Sequence, residues 1–328
     1  MRLPLLAVCL MARTVQVAPL RETEPEAYQT DDPAIWQDPK APRQALIFGT
    51  VKMAAPLGAI SVYRLDGKRI QRIEGLDRPN NIDVAYGFAA GGRTIDIAAA
   101  TERNKSRLRL FRVVPGVGLE DAASLPVFEG ETGPRAQPMG IALYTRRRDR
   151  ALFAIVSRKN GPSGSYLWQY RLRTGADGKP SAEKVREFGA FGGTGEIEAV
   201  AVDREREHVY YSDEAAGIRK YHADPDHPEA GRELALFGVS GWRGDREGIA
   251  VHGGYIVATD QMSPESEFHV FSRDTLKETG VFRVGSAVTD GIEIGAGLFV
   301  AMNDSRRNFI LADWKAIEAA LRRSGGRR

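Results

Sequence analysis

The chain has 328 residues, 42% of them hydrophobic, and its 46 basic and 43 acidic side chains give a formal net charge of +3. A chain of this length can bury a full core, either as two domains or as one large all-β or α/β domain. A charge this close to balance does not demand an anionic partner, and no basic stretch is interleaved with stacking aromatics as nucleic-acid binding requires. We therefore expect no nucleic-acid partner.

The first predicted element is residues 1–12, where Arg2 precedes an apolar run that ends at Ala12. This pattern is typical of a short secretory signal peptide and is too short to cross a bilayer. The surroundings of Cys9 are weakly similar to a lipoprotein box, and an incorrectly assigned start is a further alternative. If the segment is cleaved, no cysteine remains, which excludes disulfides, cysteine–zinc sites and a thiol nucleophile. We expect a secreted or periplasmic protein without a membrane-spanning segment.

Short runs of alternating apolar and polar residues, separated by turns, follow over almost the whole chain. This pattern is typical of β-strands, and the stretch SVYRLDGKRIQRIE predicts a hairpin with Asp66 and Gly67 at its turn. The clearest helical pattern is ADWKAIEAALRR, residues 312–323, so residues 318–328 are expected to hold the end of this helix and a basic tail. The sequence thus predicts an all-β protein that ends in one helix.

One strand pattern, apolar–polar–aromatic–basic, recurs through the chain. Its copies are ISVYRL, LRLFRV, LWQYRL, IRKYHA, FHVFSR and FILADW, which begin at Ile60, Leu108, Leu167, Ile218, Phe268 and Phe309. They are separated by 48, 59, 51, 50 and 41 residues, which suits one four-stranded blade per copy. Six copies without a linker predict a single six-bladed β-propeller, with four-stranded antiparallel blades, over residues 15–317.

A second motif precedes each of these strands and suits the innermost strand of a propeller blade. Its copies are DPAIWQ, NIDVAY, MGIALY, EAVAVD, EGIAVH and DGIEIG, whose leading residues are Asp32, Asn81, Met139, Glu198, Glu247 and Asp290. Because innermost strands converge on a channel, five oxygen-bearing side chains are expected to form a ring at one mouth. Four unpaired carboxylates are costly at neutral pH, and an oxygen-only ligand set favours calcium over zinc or copper. The alternative is that these acids merely form turns and solvated strand caps.

Nine motifs together resemble the β-propeller phytases. They are TDDPAIW, GTVK with GAISVYRLDGK, NNIDVAY, DIAAATERN, GEIEAVAVD, YYSDE, DREGIAV, TDGIEI and NFILADW. They occur in the order found in that family, from about Val15 to Ile317, and it is the ordered set that is specific. The resemblance implies a six-bladed propeller that binds several calcium ions and hydrolyses phytate, myo-inositol hexakisphosphate. It further implies direct attack by calcium-bound water, without a phospho-enzyme, and a second subsite for a neighbouring phosphate.

The resemblance also implies roles for individual residues. The carboxylates expected to bind calcium are Asp31, Asp32, Glu198, Glu214, Asp245, Glu247 and Asp290, with Glu24 as a weaker candidate and Asn81 as the amide of the ring. The predicted catalytic set consists of Asp31, Asp32, Glu198, Glu247 and Asp290. Lys52, Arg103 and Lys159 are expected to bind phosphate through charge-assisted hydrogen bonds. The alternative for each of these three cations is ordinary surface solvation.

Four features depart from the family pattern, and one of them is that a single lysine, Lys52, stands in GTVKMAAP where paired lysines are frequent. Met139 stands where a tyrosine usually faces the metal cluster, Gln137 replaces an acid, and Asn160 follows Lys159 where an acid is common. These changes leave the central carboxylates in place. We expect a monomeric enzyme with a small-molecule substrate. Two alternatives stay open: a propeller of another activity, such as a lactonase or another phosphoesterase, and a non-catalytic binding propeller.

Overall fold

Six antiparallel sheets surround a central channel in the computed structural model, which describes residues 14–175 and 178–325. Each sheet has four strands in up-and-down order, and one of them gains a fifth strand at its outer edge. The predicted all-β, six-bladed propeller is therefore confirmed. Within the described residues, no helix has both the length and the apolar character needed to cross a bilayer. Residues 1–12, predicted as a signal peptide, lie outside the described part of the chain.

Two short strands come first in the chain, β1 (Val15–Gln16) and β2 (Arg21–Glu22). Blade 1 then consists of β3 (Thr30–Trp36), β4 (Leu46–Val51), β5 (Gly58–Arg64) and β6 (Arg69–Leu76). Blade 2 consists of β7 (Pro79–Ala90), β8 (Arg93–Glu102), β9 (Arg107–Val114) and β10 (Gly118–Pro126). Blade 3 consists of β11 (Pro138–Thr145), β12 (Leu152–Arg158), β13 (Leu167–Thr174) and β14 (Pro180–Phe188).

Blade 4 consists of β15 (Val200–Asp203), β16 (His208–Asp213), β17 (Gly217–His222) and β18 (Ala235–Phe237). Blade 5 consists of β19 (Asp245–His252), β20 (Tyr255–Gln261), β21 (Glu267–Ser272) and β22 (Glu278–Arg283). Blade 6 consists of β23 (Ile292–Gly295), β24 (Leu298–Asn303) and β25 (Asn308–Asp313), with β2 as its outer strand. The helix α1 (Trp314–Gly325) follows.

The circle of blades is closed by the start of the chain. The innermost strands β3, β7, β11, β15, β19 and β23 contact one another in an unbroken cycle. Strand β2 pairs with β25 of blade 6, and β1 runs parallel to β22 of blade 5. The carboxylate of Glu22 accepts hydrogen bonds from Asn308 Nδ2 and Arg306 Nη1, both at 2.8 Å. These bonds fix the start of the chain to blade 6, and because the chain then continues into blade 1, they close the circle of blades.

Apolar side chains fill the spaces between neighbouring blades. Between blades 5 and 6, the rings of Phe268, Phe282 and Phe299 contact one another with centroid distances of 4.8, 5.0 and 5.1 Å. Burying one such ring contributes about 1.5–3 kcal/mol to stability. The tightly packed walls hold each innermost strand in place, so side chains at the channel mouth have fixed positions.

Two local predictions can be compared with the structure directly. The hairpin predicted around Asp66 and Gly67 is the β5–β6 connection, where Gly67 has a positive φ of 87°. The terminal helix begins at Trp314, two residues later than the sequence pattern predicted. It begins there because Asp313 Oδ1 accepts a hydrogen bond from the amide of Lys315 at 2.9 Å and acts as an N-cap.

Candidate metal and phosphate site

A β-bulge recurs at one end of the innermost strands. In four blades, two residues of the innermost strand lie opposite one residue of the next strand. The bulged pairs are Asp31–Asp32, Asn80–Asn81, Met139–Gly140 and Glu247–Gly248. In blades 4 and 6 the corresponding pairs, Glu198–Ala199 and Asp290–Gly291, directly precede the strand. Because a bulge turns its side chains away from the usual alternation, it aims the first residue of each pair at the channel mouth.

We name the first residues of these pairs the inner ring. Its members are Asp31, Asn80, Met139, Glu198, Glu247 and Asp290. The sequence predicted Asp32 and Asn81 for this position, and the strand register corrects both by one residue. Asp32 lies one position further into the channel, where its Oδ2 accepts a hydrogen bond from the amide of Ile82 at 2.9 Å. The doublets Asp-Asp and Asn-Asn hid the shift, because either residue of each doublet satisfies the sequence motif.

The second strand of each blade supplies another set of side chains, which we name the second ring. Each member lies two residues beyond the residue that faces the bulge. Its members are Lys52, Arg103, Lys159, Glu214, Gln261 and Asp304. Blades 1–3 thus carry three cations, whereas blades 4–6 carry two acids and one amide. Sequence reasoning missed Gln261 and Asp304. Counting two residues onward from the position that faces the bulge in every repeat would have found them.

Hydrogen bonds across blade boundaries hold the inner ring. Thr50 Oγ1 accepts from the amide of Asp32 at 3.0 Å and donates to the carbonyl of Asn80 at 2.5 Å, which joins blades 1 and 2. Thr101 Oγ1 joins blades 2 and 3 in the same way, donating to the carbonyl of Met139 at 2.6 Å. At the boundary between blades 3 and 4, a Cβ on Gly140 would lie 1.7 Å from the carbonyl oxygen of Glu198, so only glycine fits.

Direct backbone bonds hold the other side of the inner ring. The amide of Gly248 donates to the carbonyl of Asp290 at 2.6 Å, and the amide of Gly291 donates to the carbonyl of Asp31 at 3.1 Å. These bonds join blade 5 to blade 6 and blade 6 to blade 1. Close contact between the innermost backbones therefore brings the acids of blades 1, 5 and 6 to one place.

Lys52 lies among three inner-ring acids. Its Nζ is 2.5 Å from Asp31 Oδ1, 3.1 Å from Asp290 Oδ2 and 3.3 Å from Glu198 Oε1. Glu198 also accepts a hydrogen bond from Asn80 Nδ2 and lies 3.9 Å from Arg103 Nη2. The sequence predicted Lys52 as a phosphate ligand, and in the structure its ammonium group faces the carboxylates. Lys52 and Glu198 therefore connect the acidic and the basic sides of the site.

The inner-ring acids shift one another's protonation. Burial raises the pKa of Asp31 well above its usual value, and repulsion from Glu198 and Asp290 adds to the shift against the opposing charge of Lys52. Burial also raises the pKa of Glu247, with further repulsion from Glu198 and Asp290. Burial pushes the pKa of Glu198 upward, but Lys52 and Arg103 outweigh it and lower that pKa. Without a further positive charge nearby, the ionised forms of Asp31 and Glu247 are therefore disfavoured, whereas that of Glu198 is favoured.

The donor set of the acidic side fits a hard divalent cation. Asp31 is 1% exposed; its Oδ1 lies 2.5 Å from Lys52 Nζ, and its Oδ2 has no hydrogen-bond partner among the described residues. Burial and repulsion from Glu196, Asp245 and Glu198 raise the pKa of Glu214 to about 7. Buried, mutually repelling carboxylates with free oxygen lone pairs are the ligands that calcium prefers.

The remaining candidates lie at different distances from the rings. Lys159 pairs with Glu196 and is one-third exposed. Asp245 is exposed at the start of β19, and its charge affects Glu214. The structure does not bring Glu24 to the rings: it is exposed, and its Oε2 accepts from the amide of Arg69 at 3.2 Å on the β5–β6 side of blade 1. Met139 is fully buried.

Comparison with known proteins identifies the family of this chain. A profile described as "Phytase" matches residues 6–303. This chain belongs to the phytase family. The resemblance seen in the motifs is therefore confirmed, and the phytase-type propeller is an enzyme. This chain is 26% identical over 335 residues to a 3-phytase of Bacillus subtilis (strain 168). The alignment covers 92% of this chain and 84% of the relative.

Two solved structures share the fold of the phytase-family chain. A protein from Lactobacillus plantarum superposes with a TM-score of 0.53 at 11% identity, covering 86% of this chain and 81% of that one. A protein from Bacteroides uniformis, assigned as a 6-phosphogluconolactonase, superposes with a TM-score of 0.52 at 14% identity, covering 85% of both chains. At these identities the likeness concerns the fold alone.

Proposed function

We propose that this phytase-family chain hydrolyses phosphate esters of phytate and requires several calcium ions to do so. The observation that supports this most is the division of charge between the two rings. Carboxylates cluster on blades 1, 4, 5 and 6, and three cations extend from the second strands of blades 1, 2 and 3. A densely anionic substrate is attracted by the three basic side chains. The carboxylates would repel it unless bound metal ions neutralised their charge.

The residues proposed to hold calcium are Asp31, Glu198, Glu247 and Asp290, with Glu214 and Asp304 of the second ring beside them. When bound there, calcium supplies positive charge that polarises phosphoryl oxygens and lowers the pKa of water. Burial and repulsion from Asp290 raise the pKa of Asp304, so Asp304 lies close enough to the inner-ring acids to interact with them electrostatically. Asp32 and Asn81 stay candidates for the channel side of the same cluster.

The cations on blades 1–3 are proposed to bind and orient the phosphates. Arg103 is 5% exposed, and its Nε has no hydrogen-bond partner among the described residues. Its guanidinium lies 3.9 Å from Glu198, so a phosphate held by Arg103 would lie directly beside the acidic sector. Lys159, one-third exposed, can move from Glu196 to a second phosphate further out. Such charge-assisted bonds fix which ester faces the carboxylates.

Phosphate release from phytate tests the proposal. Purified wild-type protein should release phosphate at neutral pH with millimolar calcium and should stop when a calcium chelator is added in excess. The Glu198→Gln variant keeps the size of the side chain and should lose turnover with an unchanged circular dichroism spectrum. Absence of calcium-dependent release by the wild type would overturn the proposal.

The location and assembly of the enzyme are part of the same proposal. The leader pattern in residues 1–12 supports export, so we expect a secreted or periplasmic enzyme. Both rings are formed within one chain, which supports a monomer that acts alone on a small molecule. Expression with the native N-terminus, followed by N-terminal sequencing of the extracytoplasmic fraction and light scattering, checks both points.

A further inference from the structure

A buried histidine of blade 5 lies beside two carboxylates that belong to neither ring. Asp260 is the residue before the second-ring member Gln261, while Glu267 and His269 lie on β21. One potential ligand atom from each of the three lies within 4.8 Å of the others, and all three residues are buried. The Nε2 atom of His269 is 3.7 Å from Asp260 Oδ2. We propose that Asp260, Glu267 and His269 form a second cation site, selective for a zinc-type divalent metal.

The imidazole of His269 is held in the orientation that metal binding requires. Its Nδ1 is 2.7 Å from Glu278 Oε2, which places the proton of a neutral ring on Nδ1 and leaves the lone pair on Nε2. That Nε2 has no hydrogen-bond partner among the described residues, although His269 is only 3% exposed. The indole of Trp242 stacks on the ring at a centroid distance of 4.3 Å and prevents it from turning.

The carboxylates of this site have partners that can be exchanged for a metal. Glu267 Oε1 is bound by Arg283 Nη2 at 2.7 Å, whereas Glu267 Oε2 contacts Arg243, whose side chain is 57% exposed. Arg243 can therefore swing into solvent and release Oε2 at small cost. Asp260 accepts from the backbone amides of Arg243 at 2.9 Å and Gly244 at 2.7 Å, and carboxylate oxygens have a second lone pair.

The ligand chemistry separates this site from the rings. One imidazole nitrogen with two carboxylate oxygens, and open positions for water, suits zinc, whereas an all-oxygen cluster suits calcium. Asp260 also anchors residues 243–244, which lead into Asp245 and the inner-ring Glu247. A metal bound to Asp260 would therefore stabilise the turn at residues 243–244, which leads into the inner-ring residue Glu247.

Binding must release a proton from His269. Burial lowers the pKa of His269, but the carboxylates of Asp260 and Glu278 outweigh it and raise the pKa to about 9. The imidazole faces the carboxylates of Asp260 and Glu278. The third carboxylate, Glu267, is contacted by Arg243 and Arg283.

Zinc titration by calorimetry tests the site on the full-length protein, with excess calcium present to cover the rings. We expect one zinc per chain, with affinity lowered at least tenfold in His269→Gln. The matched control is His252→Gln, a partly buried histidine near Trp314 on the other side of blade 5, which should leave zinc affinity unchanged. No stoichiometric zinc binding by the wild type, or equal affinity in His269→Gln, would overturn the site.

A second variant keeps the test valid if His269→Gln does not fold. Removing the competing guanidinium in Arg243→Gln should raise zinc affinity by about three- to tenfold, because Glu267 Oε2 becomes free. If these residues formed only a structural ion-pair network, removing Arg243 would not raise zinc affinity. Unchanged or weaker zinc binding in Arg243→Gln would therefore contradict the site. Glu247→Gln should still bind this zinc, which separates failure of the zinc site from failure of the proposed phytate hydrolysis.

Discussion

The two halves of the channel mouth share one backbone design and differ in charge. In blades 1–3 the second ring consists of Lys52, Arg103 and Lys159, and in blades 4–6 the same positions hold Glu214, Gln261 and Asp304. The innermost strands of both halves contact their neighbours in one unbroken cycle, although the bulge itself is formed only in blades 1, 2, 3 and 5. The repeated fold therefore supplies six equivalent positions, and the side chains alone make the two halves different. We name blades 1–3, with their basic side chains, the phosphate half, and blades 4–6, with their acidic side chains suited to a metal cation, the cation half.

Glu198 lies where the two halves meet. It belongs to the inner ring, yet it contacts Lys52, Asn80 and Arg103 from blades 1 and 2. Positive groups lower its pKa, while the pKa values of Asp31 and Glu247 are raised by burial and by repulsion between acids. A side chain that is ionised on the border of both halves can link a bound cation to a bound phosphate. Breaking either half separately should therefore give different defects.

The largest effect is expected from removing an acid of the cation half. In Glu247→Gln, phosphate release from phytate at saturating calcium should fall on the order of 10²-fold or more, because one charge that positions the cation is lost. Steady-state assays measure this. The matched control is Glu293→Gln, the same change at an acid inside the channel, away from the rings. Equal losses in both variants would contradict a special role for the inner ring.

Removing a cation of the phosphate half should affect binding more than turnover. Arg103→Gln should raise KM for phytate about 10- to 100-fold, since a charge-assisted hydrogen bond contributes about 1.5–3 kcal/mol, and kcat should change less. The neighbouring Lys105, 55% exposed and 3.9 Å from Asp77, provides the control Lys105→Gln with near-normal KM. A fall in kcat with unchanged KM in Arg103→Gln would place Arg103 in the cation half instead.

The strand register makes a finer prediction about the Asp31–Asp32 pair. Asp31→Asn should weaken calcium binding about tenfold, a loss of about 1.4 kcal/mol, because Asp31 is the inner-ring member. Asp32→Asn should change calcium affinity less, because its carboxylate is turned toward the Ile82 amide. Calorimetric calcium titrations of the two variants measure the difference. If Asp32→Asn had the larger effect, the one-residue correction of the inner ring would fail.

The smallest effect is expected at Met139. This side chain is fully buried in a neutral sector of the inner ring, where it offers no oxygen ligand. Met139→Leu conserves volume and should alter calcium affinity and phosphate release by less than about threefold. The measurement is the same pair of titration and activity assays. A large loss of calcium binding would show that the thioether sector takes part in the cation half after all.

The sequence predicted the fold in detail because a propeller repeats one simple pattern. The recurring strand motifs correctly predicted six blades, and Asp66-Gly67 correctly predicted a hairpin. It predicted the rings less well, because a bulge adds a residue without leaving a mark in composition. The doublets at residues 31–32 and 80–81 therefore hid the register. Gln261 escaped notice because no motif letter marks a position that is defined only by its distance from the bulge.

Contacts between distant segments were beyond sequence reasoning altogether. The family resemblance implied that Lys52 binds phosphate, but its position among Asp31, Glu198 and Asp290 depends on how three blades converge. In the same way, His269 showed no ligand spacing in the sequence. Its carboxylate neighbours come from an adjacent strand and from two residues before it, and only the folded sheet brings them together.

Calcium titration by calorimetry, on the wild type, Glu247→Gln and Arg103→Gln in the absence of phytate, tests the division of the site most directly. The wild type should bind calcium, Glu247→Gln should lose at least tenfold in affinity, and Arg103→Gln should bind calcium as tightly as the wild type or more tightly. Equal weakening of calcium binding in both variants would contradict the division into a cation half and a phosphate half.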